Sequence, residues 1–317
     1  MKVLSIATMT LMEALRQPTG LVITFLITLL MFFAPTFSSF AMGSGNNLLR
    51  TNLLSTILIG SLIFISLTSH NIFYKEFSKG TIINILSKPI SITNYYLGKY
   101  LGVIFTLTLF FLLINGSAIM SMTIGTPETA STQINYLPLI TFGISLITLF
   151  TLAILLNYIL NFHIIQFLFF GWFISLPIQF LIIYVMSPYI DYPLLETHAL
   201  IEFIKASTGI YFISLIIGSF SIAMSSISGP VLNLTSSFLF LFLGLISRNL
   251  ENQTSYPKLS EISQILPDFH IFWLAEMISI GRNIRLDYLA HSLIYALFLI
   301  TAFICFGIAI LNKKDFT

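Results

Sequence analysis

Residues 137 to 186 pass without a single Asp, Glu, Lys or Arg. A soluble fold has no use for so long a charge-free run, but a lipid bilayer demands one. A hydrocarbon core about 30 Å thick is crossed by about 20 helical residues, because each backbone polar group must be satisfied within the spanning segment. The stretch is therefore too long for one crossing and suits two, with a break expected near NYILNFH, residues 157–163. Further apolar runs cover 20–42, 53–67, 100–122, 209–224, 231–246 and 289–311. The eight segments give eight crossings, or six if one hairpin is re-entrant. Of the 317 residues, 56% are hydrophobic and only 8% charged, against about a quarter charged in soluble domains. The expected fold is an all-α polytopic membrane protein, with residues 1–317 forming one transmembrane domain. The lone Cys305 excludes an intramolecular disulfide.

The first residues, MKVLSIATMTLMEALRQPTG, do not read as a signal peptide, since Glu13 and Arg16 interrupt the apolar core such a peptide needs. At helical spacing Val3, Leu4, Ala7, Leu11, Ala14 and Leu15 share one face, with Lys2, Ser5, Thr10, Glu13, Arg16 and Gln17 opposite. This predicts an interfacial helix over 1–18, ended near Pro18. A second amphipathic stretch, SPYIDYPLLETHALIEFIK, is expected to lie at the interface as well.

Charge orients the chain. An even number of crossings puts both termini and the polar insert 71–99 on one side. That side carries Lys2, Arg16, Lys75, Lys79, Lys88, Lys99, Lys313 and Lys314 against Glu13, Glu76 and Asp315. The excess of bases in short segments beside the spans predicts that this side is cytoplasmic, leaving 248–288 as an extracytoplasmic loop region. The net charge of +2 gives no sign of a nucleic-acid partner.

The apolar runs contain no Asp, Glu, Lys or Arg, although ion-coupled carriers usually need ionisable groups inside the membrane. If the protein moves a solute uphill, the energy is expected to enter from outside the bilayer. Catalytic patterns are missing too. His70, His163, His198, His270 and His291 are scattered, with no HExxH spacing, no GxSxG elbow and no GxxxxGK[ST] phosphate loop. No cofactor, metal site or enzymatic activity of its own is expected.

The insert EFSKGTIINILSKPISITNYYLGK, residues 76–99, breaks this pattern. The second span is expected to run on as helix until Gly80, a poor helix former. Thr81 is placed to cap a short new helix, and Ile82, Ile83, Ile85 and Leu86 are too apolar for a solvated loop. Ser87 and Lys88 precede Pro89, which ends that helix. Ser91 or Thr93 caps the next, where Tyr95, Tyr96 and Tyr100 suit the headgroup zone and Lys99 is expected to snorkel. The product is a short transverse helix on two struts, either a docking knob or an ordinary surface loop.

Glu76, Gly80-Thr81, Leu86-Ser87, Pro89-Ile90-Ser91 and Gly98-Lys99, in this spacing, resemble the signature of type-2 ATP-binding cassette (ABC) exporter permeases, relatives of the multicopper-enzyme-maturation type permeases. Residues 204–247, 265–272 and 312–316 resemble other parts of that family less specifically. Ile92 stands where the family often has arginine, and the family usually has six spans. The resemblance implies a type-2 ABC exporter permease fold with a cytoplasmic coupling helix, in the bacterial cytoplasmic (inner) membrane. It further implies a second permease subunit and a separate ATP-binding cassette ATPase subunit as partners, besides membrane lipid. Glu76 would end the strut, Gly80-Thr81 form the corner, Ile82, Ile83, Ile85 and Leu86 dock, and Ser87, Pro89 and Ser91 turn the chain back. Two other classes remain: a membrane scaffold or assembly factor that recruits a soluble partner without transport, and an intramembrane enzyme acting on lipid.

Overall fold

A computed structural model of the chain describes residues 2–38, 45–78, 91–126, 135–190, 196–251 and 266–313. The ordered elements are helices: α1 (Lys2–Leu15), α2 (Pro18–Ser38), α3 (Gly45–Ser78), α4 (Ile92–Met122), α5 (Leu137–Leu160), α6 (Ile164–Ile190), α7 (Thr197–Ser225), α8 (Pro230–Glu251), a 3-10 turn (Phe269–Phe272), α9 (Ala275–Ser279) and α10 (Leu286–Asn312). Among the described residues, eight helices are long and apolar enough to cross a membrane: α2 to α8 and α10. The protein is thus an all-α polytopic membrane protein.

The break expected near 157–163 is present. Asn161 caps α5 with φ 53°, in the left-handed region that asparagine tolerates better than most residues. The Asn157 amide donates to the Phe162 carbonyl at 2.7 Å, which satisfies an acceptor in the tight turn. At about 1.5 Å per residue, the 24-residue α5 is about 36 Å long, enough for a full crossing rather than a re-entrant half.

Successive helices reverse direction, and contacts at each end fix which termini meet. At one end the Asn71 amide donates to the Thr19 hydroxyl (3.2 Å), and Gln166 of α6 reaches Met12 of α1 (3.6 Å). At the other, Thr126 bonds Asn46 (3.0 Å) and Asn47 bonds the Ser279 carbonyl (3.3 Å). Both ends of the described chain therefore lie at the end where α3 stops and α4 starts.

Helices α3, α4 and α7 form the centre, while α5 and α10 keep most of their surface outward. The centre is aromatic and aliphatic, with Phe64 and Phe110 stacked at 4.0 Å between ring centroids. It also holds a polar seam. Ser61 and Ser214 share a 2.7 Å hydrogen bond, as do Ser69 and Ser221. The Asn233 amide of α8 donates to the Ser66 carbonyl (3.0 Å) and to the hydroxyls of Ser69 (3.1 Å) and Ser221 (3.0 Å). In lipid such bonds join helices that gain nothing from apolar burial alone. Asn233→Ala is expected to cost about 1 kcal/mol, read as a lower melting temperature in detergent, with Ser236→Ala as a silent control.

The structure differs from the sequence expectations in three places. The α3 helix starts at Gly45, well before the apolar run at Leu53. Residues 197–205 form the first turns of α7 rather than a separate interfacial helix, which carries Glu202 and Lys205 onto a membrane-length helix. The face of α1 against the protein is largely the expected one, with Ala7, Ala14 and Leu15 buried, but Leu4 is 62% exposed and Thr10, expected on the opposite face, is 2% exposed.

Candidate functional site

At about 1.5 Å per residue, the 34 residues of α3 reach about 51 Å, well beyond a 30 Å hydrocarbon core. The extra length lies partly at the Ser78 end, and the helix does continue through the SHNIFYKEF segment as its sequence suggests. The backbone of Glu76 is helical, but its side chain lies outside the described residues. Gly80, Thr81, Ile82, Ile83, Ile85, Leu86, Ser87 and Pro89 also lie outside them. The chain resumes at Ser91, which is the N-cap of α4. Its extended backbone (φ −69°, ψ 147°) and its hydroxyl, accepting from the Asn94 amide at 3.3 Å, satisfy an otherwise orphaned helix donor. Residues 79–90 thus join the end of α3 to the start of α4 in the chain.

The base of the struts is gripped from several directions. Phe73 of α3 and Tyr96 of α4 pack with ring centroids 5.8 Å apart. Gly307 of α10 leaves room for the Tyr96 hydroxyl, which a Cβ at that position would strike. Against α4 lies α1. An added Cβ on Gly98 would sit 2.7 Å from Ile6 Cβ and 3.0 Å from the Val3 carbonyl oxygen. On Gly102 it would sit 2.5 Å from Thr10 Cβ and 2.7 Å from the Ala7 carbonyl oxygen. Gly98 and Gly102 form a GxxxG pair, which lets helix backbones meet without side chains between them.

Lys99 is placed by this contact. It is 4% exposed, its ammonium is 3.8 Å from a Glu13 carboxylate oxygen, and it lies 5.8 Å from the centre of the Tyr95 ring. Lys99 does not snorkel outward, and Tyr95, Tyr96 and Tyr100 are buried inside the protein. For Lys99 the cause is α1, which covers the side of α4 that the sequence left open. Gly98 and Lys99 therefore contact α1, and Ser91 starts α4. The GxxxG pair was readable in GKYLG, residues 98–102, though its partner helix was not.

Among the described residues no three His, Cys, Asp or Glu side chains gather as a metal site would require. The ends of α3 and α4 next to residues 79–90 are packed against α1, α2 and α10. The chain matches no family model and no curated protein.

Proposed function

We propose that the protein is the membrane-spanning permease subunit of an ATP-binding cassette transporter, an exporter that couples ATP hydrolysis on a separate ATPase subunit to translocation. The observation that carries this reading is the joint itself. The signature-like residues 76–99 fall between two membrane-length helices, and α3 outruns the bilayer toward them. On the described spans Asp, Glu, Lys and Arg stand only toward the helix ends, as with Lys99, Glu202 and Lys205, which leaves no cluster at mid-span to couple an ion gradient. Packed bundles move as rigid bodies, so a push on 79–90 tilts α3 and α4 together with the helices tied to them. Glu76 would close the strut, Gly80 and Thr81 form the elbow, and Ile82, Ile83, Ile85 and Leu86 seat in a groove of the ATPase, with Ser87, Pro89 and Ser91 returning the chain. On this reading the joint and both termini face the cytoplasm of a bacterial cell, and a second permease subunit completes the pore.

The test is co-expression with the cassette ATPase of a neighbouring gene, followed by purification and reconstitution. The complex is expected to co-purify. Gly80→Leu and Glu76→Lys are expected to lower substrate-stimulated ATP hydrolysis several-fold while leaving membrane insertion intact. A protein that emerges without an ATPase, or variants with unchanged turnover, would refute the assignment.

A further inference from the structure

The seam between α3 and α7 holds a hydroxyl that its own register does not use. Ser61 bonds Ser214 and Ser69 bonds Ser221, each at 2.7 Å, so the two helices run in the same direction. Between these pairs Ser66 is 0% exposed, yet its hydroxyl has no partner among the described residues. Ser61 and Ser69 also reach carbonyls of their own helix, those of Leu58 at 2.9 Å and Ser66 at 3.1 Å, and Ser66 lacks even that bond. An unpaired buried hydroxyl is costly. No ligand reaches an oxygen so enclosed, so its partner must come from the protein.

The spacing of the neighbouring serines says which movement supplies that partner. Ser66 precedes Ser69 by three residues, and Ser225 follows Ser221 by four. With a rise of 1.5 Å per residue, a slide of α3 by about 5 Å toward Ser78, one helical turn, sets Ser66 opposite Ser221 and Ser69 opposite Ser225. Two hydroxyl pairs then replace two hydroxyl pairs. Ser225 is buried, and its hydroxyl donates to the Ile222 carbonyl at 2.7 Å, which leaves its oxygen free to accept. Asn233 of α8 exchanges like for like: its amide donates to Ser69 and Ser221 at 3.1 and 3.0 Å, and after the slide it meets Ser66 and Ser221. Packing permits the movement. Gly218 of α7 faces Ile65, whose Cγ1 is 3.1 Å from where a Cβ would stand, and after the slide it faces the smaller Ser61.

We propose that the α3–α7 seam is a two-position ratchet, in which α3 slides one turn past α7 and α8 and Ser66 takes the place of Ser69. Helices packed through discrete side chains step between registers rather than deform continuously. Residues 79–90 follow directly on α3, so each step displaces them by the same amount. The ratchet does not rest on the transport reading, and its test needs no ATPase.

Cysteine pairs read the two registers, in a Cys305→Ser background, with the full chain reconstituted in vesicles and oxidised by copper phenanthroline in air. Ser69→Cys/Ser221→Cys should cross-link in the described register, and Ser69→Cys/Ser225→Cys only after the slide. Ser69→Cys/Ser214→Cys, about 10 Å out of register the other way, gives the background. The Ser69→Cys/Ser225→Cys pair is expected to cross-link several-fold faster than background. Adding Ser66→Ala should slow it several-fold and leave Ser69→Cys/Ser221→Cys unchanged. Ser66→Ala alone is expected to melt no lower than the wild type, because the described register does not use its hydroxyl. Cross-linking of Ser69→Cys/Ser225→Cys at the background rate, or at a rate indifferent to Ser66→Ala, would overturn the ratchet. A melting temperature lowered by Ser66→Ala would do the same, and it can be measured even if a cysteine pair fails to fold.

Discussion

Glu202→Ala is expected to destabilise the protein by about 3 kcal/mol, near the lower end of what breaking a buried ion pair costs. Glu202 is 7% exposed and uses both carboxylate oxygens. One accepts from the Lys205 ammonium at 2.7 Å, the other from the Ile284 backbone N–H at 2.7 Å. Lys205 in turn donates to the Ile284 carbonyl at 3.0 Å. The pair therefore pins the strand of chain entering α10 onto the first turns of α7. Alanine would leave a half-buried ammonium without its carboxylate and a buried amide without an acceptor, and the two losses act together. Lys205 keeps a 21% exposed side chain, so water relieves part of its cost, and the expected loss sits at the low end for that reason. Glu202→Gln, which keeps an acceptor for Ile284, should recover part of the stability. The double variant Glu202→Gln/Lys205→Met removes the stranded charge and should melt above Glu202→Ala. Thermal unfolding of the four proteins in one detergent measures this. A double variant no more stable than Glu202→Ala would show that the pair holds nothing in place.

The spans were legible because nothing else can be done with charge-free runs of that length, and the turn at Asn161 was legible because the run was too long for a single helix. The Ser91 cap was readable from local chemistry alone. Side-chain placement was not. On α1 most of the expected face packs inward, yet Leu4 faces outward and Thr10, placed on the opposite face, turns inward. In a membrane protein lipid is as apolar as the core, so hydrophobicity no longer tells inside from outside, and close helix contact selects small residues instead. Lys99 was misplaced for the same reason: its surroundings depend on α1, which is distant in sequence. Glu202 and Lys205 read as charges of a separate interfacial stretch because α7 extends beyond its apolar run. The insert is the reverse case, in which the sequence is more informative than the described residues, which stop at Ser78 and resume at Ser91.

Gly102→Leu is expected to lift α1 off α4 altogether. A Cβ alone would sit 2.5 Å from Thr10 Cβ and 2.7 Å from the Ala7 carbonyl oxygen, and the second of these is backbone that no rotamer change can move. Overpacking in a closed core costs about 1–3 kcal/mol because neighbours must shift. Here a cheaper escape exists, since α1 is a terminal helix that can leave while the remaining helices stay packed. The bundle should keep most of its thermal stability, and the lost contact should be local. Thr10 reports it, being 2% exposed only while α1 is docked. In a Cys305→Ser background, Thr10→Cys should resist a membrane-impermeant maleimide, and adding Gly102→Leu should make it react readily. Gly102→Ala should give an intermediate rate, because its Cβ still meets the Ala7 carbonyl. Departure of α1 also takes Glu13 from Lys99, so the base of the strut loses a brace and a counter-charge in one step. In the assembled transporter proposed above, ATP hydrolysis should then continue at its basal rate without stimulation by cargo. Protection of Thr10→Cys that persists in Gly102→Leu would mean that α1 is held by something other than the glycine pair.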